Sequence, residues 1–389
     1  MAGKVVGRAL AQSLVAQLGK DDDATTYLVD DPKPPMVIPT GSLDLDRALR
    51  IGGWPRGCIS IISGPESCGK TSMSLAAARE CQKIGGIPVY VDMERKLDLV
   101  YARSIGVDTG AMPLLRPKSI EAGFRILHKY ADMILKDAGD TPILYVWDSL
   151  HAGVAESLSE NWSFSVGSFG PDARVYSDDI KRFLRQLDEK RIAMLALSQH
   201  RVKIDPNGRM PATNKIGVSN ASLHHAAVIV GLRKIAAIDT DSRTGKKVKA
   251  TVVKNQCAGE GPVAVVDIIN GTGPDWYGSV LLAAEAVGLA VPDKDGRKRT
   301  GWLQVTLPDG EAKLRASGMQ AFAAQYPERF DMLVTAVRER FGTKADVGAV
   351  VDEDAPVVER DPDEEPQERP ALPRRTLDSV PAPKKGRKK

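Results

Sequence analysis

The sequence lacks long apolar runs. No segment of the 389-residue chain approaches the length that spans a membrane, and the N-terminus has no apolar core of the kind found in signal peptides. We therefore expect a cytosolic protein without a membrane partner. The chain is also longer than one hydrophobic core usually serves, so a second domain or tails are expected.

Cysteine is scarce as well. Cys58, Cys68, Cys81 and Cys257 form no Cys-x-x-Cys pair and no His/Cys cluster, which argues against structural zinc and a disulfide framework. We expect all four to be reduced. Cys68 precedes a predicted helix, where its thiol pKa could fall, but we favour its interpretation as a small loop residue.

The net charge is small and the charges are unevenly distributed. A formal net charge of +4 does not by itself indicate a nucleic-acid partner. Near the C-terminus, however, Asp352 to Glu368 is acidic and Arg374 to Lys389 is basic, and we expect this tail to be disordered. The basic end is either a nucleic-acid tether or a solvated tail, and its composition favours neither.

The strongest motif present is Gly-x-x-x-x-Gly-Lys-Thr, the P-loop, between an apolar run and an Ala- and Leu-rich helical pattern. Its backbone N–H groups converge on phosphate oxygens, and the following helix adds the positive end of its dipole. Lys70 is expected to reach the β and γ phosphates of ATP, and the Thr71 hydroxyl to bind Mg²⁺. The residues assigned to the nucleotide are Gly64, Glu66, Ser67, Cys68, Gly69, Lys70, Thr71 and Ser72.

Apolar runs and helical patterns alternate after the P-loop, which predicts an α/β fold with a mostly parallel sheet flanked by helices. Ligands of such sheets bind at the carboxyl ends of the strands. Later apolar runs lie too close together for helical crossovers and predict an antiparallel extension, followed by a small C-terminal α/β domain. The predicted strands are Ile87 to Asp92, Ile143 to Asp148, Ile192 to Ser198, Ala226 to Leu232, Val248 to Val253 and Val263 to Ile269. The predicted helices between them are Ile120 to Lys136 and Ser177 to Glu189.

Three predicted strand ends carry candidate catalytic groups. Asp148 suits a Walker B acid that holds Mg²⁺ through water, and we favour this role over a simple strand-end cap. Glu94 could polarise an attacking water or be an ordinary surface carboxylate, and the pattern alone does not decide. Gln199 follows the third strand, and by itself a glutamine there has no functional signature.

Taken together, these motifs resemble the RecA recombinases from about residue 5 to about residue 340. The resemblance rests on Ile38 to Asp46, Gly64 to Thr71, Val91 to Glu94 with Leu97, Asp98 and Tyr101 to Arg103, Trp147 to Ser149, Gln199 to Ile204, and Val252 to Asn255. It implies a RecA-type P-loop core that uses ATP and Mg²⁺, binds single-stranded DNA and homologous duplex DNA, and assembles into a helical filament. A hexameric helicase and a regulatory DNA-coating protein remain alternatives.

The resemblance also implies individual roles at the nucleotide. Glu94 corresponds to the base that activates water, and Asp98 and Tyr101 to the adenine contacts. Gln199 corresponds to the γ-phosphate sensor. Lys254 corresponds to a lysine that reaches the ATP of the neighbouring subunit, although the second such lysine of the family is Gln256 here.

Contacts to DNA are implied in two loops, about Ser159 to Pro171 and about His200 to Ser219. Phe169 and Ile204 fall where the family inserts an apolar side chain between bases. The other residues assigned to DNA are Arg174, Lys181, Arg201, Ser219 and Asn220.

The domain prediction has four parts. Residues 1–35 form an N-terminal polymerisation helix and linker, in which Val6, Leu10, Leu14 and Leu18 make one apolar stripe. Residues 36–272 form the ATPase core. Residues 273–345 form the small C-terminal domain, and residues 346–389 are the charged tail.

Overall fold

The computed structural model describes residues 36–154, 156, 180, 183–203, 213–216, 224–240, 243–259, 262–295 and 298–341. The helices are α1 (Leu43–Ala48), α2 (Lys70–Lys83), α3 (Leu99–Ile105), α4 (Ile120–Ala138), α5 (183–189), α6 (Trp276–Ala286), α7 (Met319–Gln325) and α8 (Pro327–Arg338). The first strands are β1 (Val37–Ile38), β2 (Trp54–Pro55), β3 (Ile59–Gly64), β4 (Ile87–Asp92), β5 (Leu114–Leu115), β6 (Ile143–Asp148), β7 (Ala193–Lys203) and β8 (Thr213–Ile216). The later strands are β9 (Ala226–Thr240), β10 (Arg243–Asn255), β11 (Val263–Ile269), β12 (Gly273–Pro274), β13 (Ala290–Asp295), β14 (Lys298–Leu307) and β15 (Gly310–Leu314).

A large mixed sheet organises the described core. Its strand order is β12-β11-β10-β9-β3-β7-β6-β4-β5. The strands from β9 to β5 along this order pair in parallel, whereas β9 to β12 pair antiparallel. The predicted parallel sheet with an antiparallel extension is therefore confirmed. The two halves share β9, and β3, which leads into the P-loop, is its parallel neighbour.

Both faces of this sheet are buried. Successive residues of a strand point to opposite faces, so each strand contributes to two hydrophobic clusters. Ile62 of β3 packs in the cluster that contains the buried side of α2, and its neighbour Ile61 packs in the cluster that contains α4 and α5. Tyr145 and Trp147 of β6 belong to the α4 side, where Trp147 stacks on Phe124 at 4.7 Å between ring centroids. Helices therefore cover both faces, as predicted.

Local signals start the helices that surround the site. Ser119 caps α4 by accepting a hydrogen bond from the N–H of Ala122, and Asp98 caps α3 by accepting from Val100 and Tyr101. Such side-chain acceptors satisfy N–H groups that have no partner within the helix. None of the described helices is long and apolar enough to cross a membrane.

A separate three-stranded antiparallel sheet, β13-β14-β15, follows α6. With α6, α7 and α8 it encloses its own hydrophobic cluster, which also receives Leu43 of α1. The backbone N–H of Leu43 donates to Ser279 Oγ at 2.9 Å, which ties α1 to α6. The predicted small α/β arrangement after the core is present in residues 276–341.

Three predicted strands are longer in the structure. β7 continues from Ser198 to Lys203 and pairs antiparallel with β8, so part of the predicted loop from His200 to Ser219 is a strand pair. β9 and β10 likewise extend well past their apolar stretches and pair with each other. Backbone pairing sustains these polar segments, and hydrophobic periodicity does not detect it.

Candidate nucleotide-binding site

The P-loop has the backbone of an anion-binding loop. β3 ends at Gly64 and α2 begins at Lys70, with Ser67 at φ 56° and Gly69 at φ 103°. Left-handed residues within such a loop turn successive N–H groups toward one centre. At Gly69 a Cβ atom would lie 2.2 Å from Ile268 Cδ1, so both the dihedral angle and the available space require glycine.

Lys70 lies against the loop that it follows. Its Nζ donates hydrogen bonds to the carbonyl oxygens of Gly64 at 2.9 Å and Pro65 at 2.7 Å. An ammonium group has three N–H donors, so it can redirect a bond to a phosphate oxygen. The cation is thus held at the loop by the protein's own carbonyl groups.

Asp148 and Thr71 are adjacent, as a Mg²⁺ site requires. Thr71 Oγ1 donates to Asp148 Oδ2 at 3.5 Å, and the same oxygen accepts a 2.7 Å hydrogen bond from the Tyr90 hydroxyl. Burial raises the pKa of Asp148; the Tyr90 bond opposes this shift, whereas the charges of Glu94 and Asp92 reinforce it. A divalent cation would relieve this concentration of negative charge, so these residues fit the ion.

Few protein groups are available to hold that ion. Among the described residues no group of three or more His, Cys, Asp or Glu side chains could bind a metal. Mg²⁺ commonly binds through one or two protein groups together with phosphates and water. The Thr71 and Asp148 pair is sufficient for that type of site.

Glu94 is held at the same edge of the sheet. Ser149 Oγ donates to Glu94 Oε1 at 2.7 Å, and Lys96 Nζ lies 3.3 Å from Glu94 Oε2. The turn that carries Glu94 is fixed by Asp92, whose carboxylate accepts from the N–H groups of Lys96 and Leu97. With 21% of its side chain exposed, Glu94 is accessible to water.

The pairing register explains why these groups meet. Gly64 of β3 is opposite Gln199 of β7, and Asp92 of β4 is opposite Asp148 of β6. The carboxyl ends of neighbouring parallel strands therefore form one edge. Gln199 is further held by its backbone N–H, which donates to His151 Nδ1 at 3.4 Å.

Tyr101 contacts the start of α2. The Tyr101 hydroxyl lies 2.6 Å from Ser72 Oγ, whereas Asp98 Oδ1 accepts from the N–H of Val100 at 2.8 Å within α3. The structure thus brings Tyr101, one of the two predicted adenine contacts, to the P-loop helix. Asp98 Oδ1 caps α3, so this oxygen already has a structural role that does not depend on a nucleotide.

Lys254 is not brought to this edge. It pairs with Ile229, which pairs with Ile61 in the middle of β3, so Lys254 lies level with the middle of that strand and not at its carboxyl end. Its Nζ donates to the carbonyl oxygen of His224 at 3.0 Å. The sheet register therefore does not place Lys254 beside the P-loop of its own chain.

Most of the residues predicted to bind DNA lie outside the described residues. These are Phe169, Arg174, Lys181, Ile204, Ser219 and Asn220. Arg201 is in β7, but its side chain is also outside the description. The predicted N-terminal helix and the charged tail lie outside it too.

The structure adds polar residues that sequence reasoning missed. Tyr90, Ser149 and His151 contact Asp148, Glu94 and Gln199, and Lys246 donates to the Ser67 carbonyl at 2.7 Å. Two of these could have been noticed in the sequence. Ser149 directly follows Asp148, and Tyr90 is two residues before Asp92. No local signal singles out Lys246.

The cysteines have no special reactivity at the site. All four are free thiols. Burial raises the pKa of Cys68, and the nearby cation of Lys70 only partly opposes it. This agrees with a small buried loop residue.

Comparisons with known proteins agree with one another. The sequence profile of the RecA N-terminal domain matches residues 8–275. The RecA protein of Saccharopolyspora erythraea is 31% identical over 91% of this chain and 97% of its own length, and that of Paenarthrobacter aurescens is 32% identical over 91% and 96%. The RecA protein of Desulfovibrio desulfuricans is 35% identical over 73% of this chain and 77% of its own.

Proposed function

This chain belongs to the RecA family, and from that membership and the P-loop geometry we propose that it is a DNA-dependent ATPase that pairs and exchanges homologous strands. Family membership supports a recombinase role, with ATP and Mg²⁺, in general terms. The finer proposal is that ATP-bound subunits form a helical filament on single-stranded DNA in the cytoplasm. Base pairing with a homologous duplex then supplies sequence recognition, while the protein holds the DNA backbone.

One observation carries the proposal. Lys70 and Thr71, Asp148, and Glu94 come from three segments of the chain and converge at the carboxyl ends of the parallel strands, with Thr71 Oγ1 3.5 Å from Asp148 Oδ2. Phosphoryl transfer is catalysed chiefly by positioning and charge stabilisation. These groups are of the types that such a reaction needs.

Each residue has a distinct part in the proposed reaction. Lys70 and the P-loop N–H groups bind the β and γ phosphates, while Thr71 and, through water, Asp148 would hold the Mg²⁺ that offsets phosphate charge. Glu94 accepts a proton from the attacking water, and Ser149 orients its carboxylate. Tyr101 and Asp98 bind the adenine.

Gln199 provides a connection from the nucleotide to DNA. Gln199 is in β7 and lies opposite Gly64 of β3. Beyond Gln199, β7 continues to Lys203 and pairs with β8. A γ-phosphate contact at Gln199 can therefore bias the segment from His200 to Ser219, which we assign to DNA together with Ser159 to Pro171. Loss of the γ-phosphate would release that segment.

The location of Lys254 supports a shared site. Lys254 lies away from its own P-loop, and we assign it to the ATP of a neighbouring copy, where it would replace its bond to the His224 carbonyl. The proposed division of the chain into an ATPase core (36–272) and a small domain (273–345) is supported by the family match, which ends at residue 275, and by the separate cluster around α6. Residues 1–35 are assigned to polymerisation and 346–389 to a charged tail.

Lys70→Ala tests the proposal directly. Removing the ammonium should weaken ATP binding at least about tenfold, since charge-assisted phosphate contacts are the strong ones. Hydrolysis with single-stranded DNA and ATP-dependent filament extension should be lost. Binding of a fluorescent ATP analogue, phosphate release and electron microscopy measure the three effects.

Lys83→Ala is the matched control. Lys83 is at the other end of α2, is 57% exposed and pairs with Glu80, so its loss should leave ATP binding and hydrolysis unchanged. Equal behaviour of the two variants would contradict the P-loop assignment. Closed rings of the wild-type protein, in place of filaments, would instead favour a hexameric motor.

A further inference from the structure

Lys246 connects the antiparallel half of the sheet to the P-loop. It is on β10, and its Nζ donates to the carbonyl oxygen of Ser67 at 2.7 Å. Its side chain passes the loop closely, because a Cβ atom at Gly69 would lie 3.8 Å from Lys246 Cε.

The carbonyl that Lys246 contacts belongs to a strained residue. Ser67 has φ 56°, in the left-handed region that costs an L-residue of this kind about 1 kcal/mol or more. The hydrogen bond from Lys246 restrains the orientation of this carbonyl. A charge-assisted hydrogen bond stabilises that orientation more strongly than a neutral one.

The same peptide unit carries one of the P-loop N–H groups that the motif assigns to phosphate binding. The carbonyl oxygen of Ser67 and the N–H of Cys68 belong to one peptide group, so a cation on the oxygen polarises the N–H. Hydrogen bonds in a chain strengthen one another in this way. Lys246 can therefore improve a phosphate donor without touching the phosphate.

Lys246 and Lys70 hold different parts of the loop. Lys70 contacts the carbonyl oxygens of Gly64 and Pro65, and it must redirect at least one of these bonds to reach a phosphate. Lys246 has no such competing role and can keep its bond to Ser67 while the nucleotide is bound. The loop would then remain ordered when Lys70 moves.

The surroundings of Lys246 are cationic. A cleft of about 450 Å³ is lined by the first P-loop residues and by Arg233, Lys234 and Lys246. Partial burial lowers the pKa of Lys246, and the charges of Lys234 and Lys70 lower it further. Positive charge is thus concentrated beside the loop, which favours an anionic ligand there.

We propose that Lys246 is a positioning residue of the triphosphate site, which holds the Ser67 carbonyl so that the P-loop N–H groups stay directed at the phosphates. This inference rests on the proposed function, since it needs ATP to bind at the P-loop. It adds a contribution from β10, in the antiparallel half of the sheet, to a site otherwise built from α2, α3 and the carboxyl ends of the parallel strands.

Lys246→Met keeps much of the side-chain stem and removes the cation. The loss of one charge-assisted bond should raise the Kd for ATP about tenfold. The value of kcat at saturating ATP should change less than about twofold, because Lys246 touches neither the water nor the γ-phosphate. Lys246→Arg retains a donor and a charge and should recover most of the affinity.

Lys234→Met is the matched control for simple electrostatics. Lys234 lines the same cleft, so its loss should weaken ATP binding less than about threefold, and this loss should vanish at high salt. The effect of Lys246→Met should persist at high salt. Far-UV circular dichroism of each variant checks that the fold is retained.

Wild-type affinity in Lys246→Met, or equal and salt-sensitive losses in the two Met variants, would overturn the proposal. These outcomes are distinct from failure of the proposed function, in which the wild type itself would not bind ATP or Lys70→Ala would bind it normally. If Lys246→Met does not fold, Lys246→Gln provides the same comparison. Failure of Lys246→Arg to restore affinity would also contradict the role.

Discussion

Asp148 and Asp46 are carboxylates whose pKa values are both raised by burial, but they belong to very different surroundings. Asp148 has Thr71, Tyr90 and Glu94 around it at the carboxyl ends of the parallel strands. Asp46, on α1, accepts one hydrogen bond at Oδ1 from the N–H of Thr40, and its buried Oδ2 has no hydrogen-bond partner.

The position of Asp46 separates it from the nucleotide. The charge of Glu80 adds to the rise in its pKa, and Glu80 is ten residues along α2 from Lys70, about 15 Å from the start of that helix. A raised pKa therefore reports burial at both sites. Only at Asp148 does it coincide with a hydroxyl, a second carboxylate and a P-loop, which together indicate chemistry.

Glu94→Gln should give the largest effect at the parallel-strand site. General-base contributions are typically about 10²-fold or more, so ATP hydrolysis should slow by at least that factor in single-turnover assays. Binding of ATP and single-stranded DNA should be unchanged, because Gln keeps the size and an acceptor for Ser149. An unaltered hydrolysis rate would remove Glu94 from the mechanism.

Asp148→Asn tests whether the acid of that site serves the metal ion. Groups that hold a metal through water typically contribute about 10- to 100-fold to metal affinity or activity. The Mg²⁺ concentration for half-maximal hydrolysis should therefore rise at least about tenfold in a magnesium titration. Asp46→Asn is the matched control and should have the wild-type magnesium dependence; equal shifts in both variants would refute the distinction.

Asp46→Asn should act on stability alone. The pKa of Asp46 is about 7 in the folded chain, against an ordinary value of 3.8, so the folded state keeps a proton that the unfolded state has released. Its contribution to the free energy of unfolding therefore falls as the pH rises from about 4 to about 7, and is level above that.

The neutral Asn side chain removes this dependence and still accepts from Thr40. Between pH 6 and pH 8 the variant should lose about 1 kcal/mol less stability than the wild type. Urea unfolding in the absence of DNA, at several pH values, measures the difference. Parallel curves for the two proteins would show that Asp46 is not a buried protonated acid.

Local patterns were sufficient for much of the fold. The bounds predicted for β4, β6 and β11 are those observed, since each strand is an apolar run that ends at a turn or a charge. The Gly-rich loop was equally visible, because Gly69 occupies a backbone conformation and a space that exclude other residues.

Side-chain partnerships were less accessible. The Tyr90 hydroxyl and the Ser149 hydroxyl have clear roles at Asp148 and Glu94, yet nothing in an apolar strand or in one serine predicts its partner. The predicted loop after Gln199 also proved to be partly a strand pair. In each case the deciding interaction joins residues that are distant in sequence.

The sequence by itself determined the P-loop, the order of strands and helices, and the acids that end β4 and β6, because these depend on local periodicity and local backbone constraints. Only the tertiary structure decided which charged residue of the antiparallel half lies at the P-loop. Lys246 and Lys254 are eight residues apart on β10, which places them about 27 Å apart along an extended strand. Pairing of β9 in parallel with β3, and of β10 antiparallel with β9, brings Lys246 to the P-loop and carries Lys254 away from it, since strand direction and register are set by the sheet as a whole.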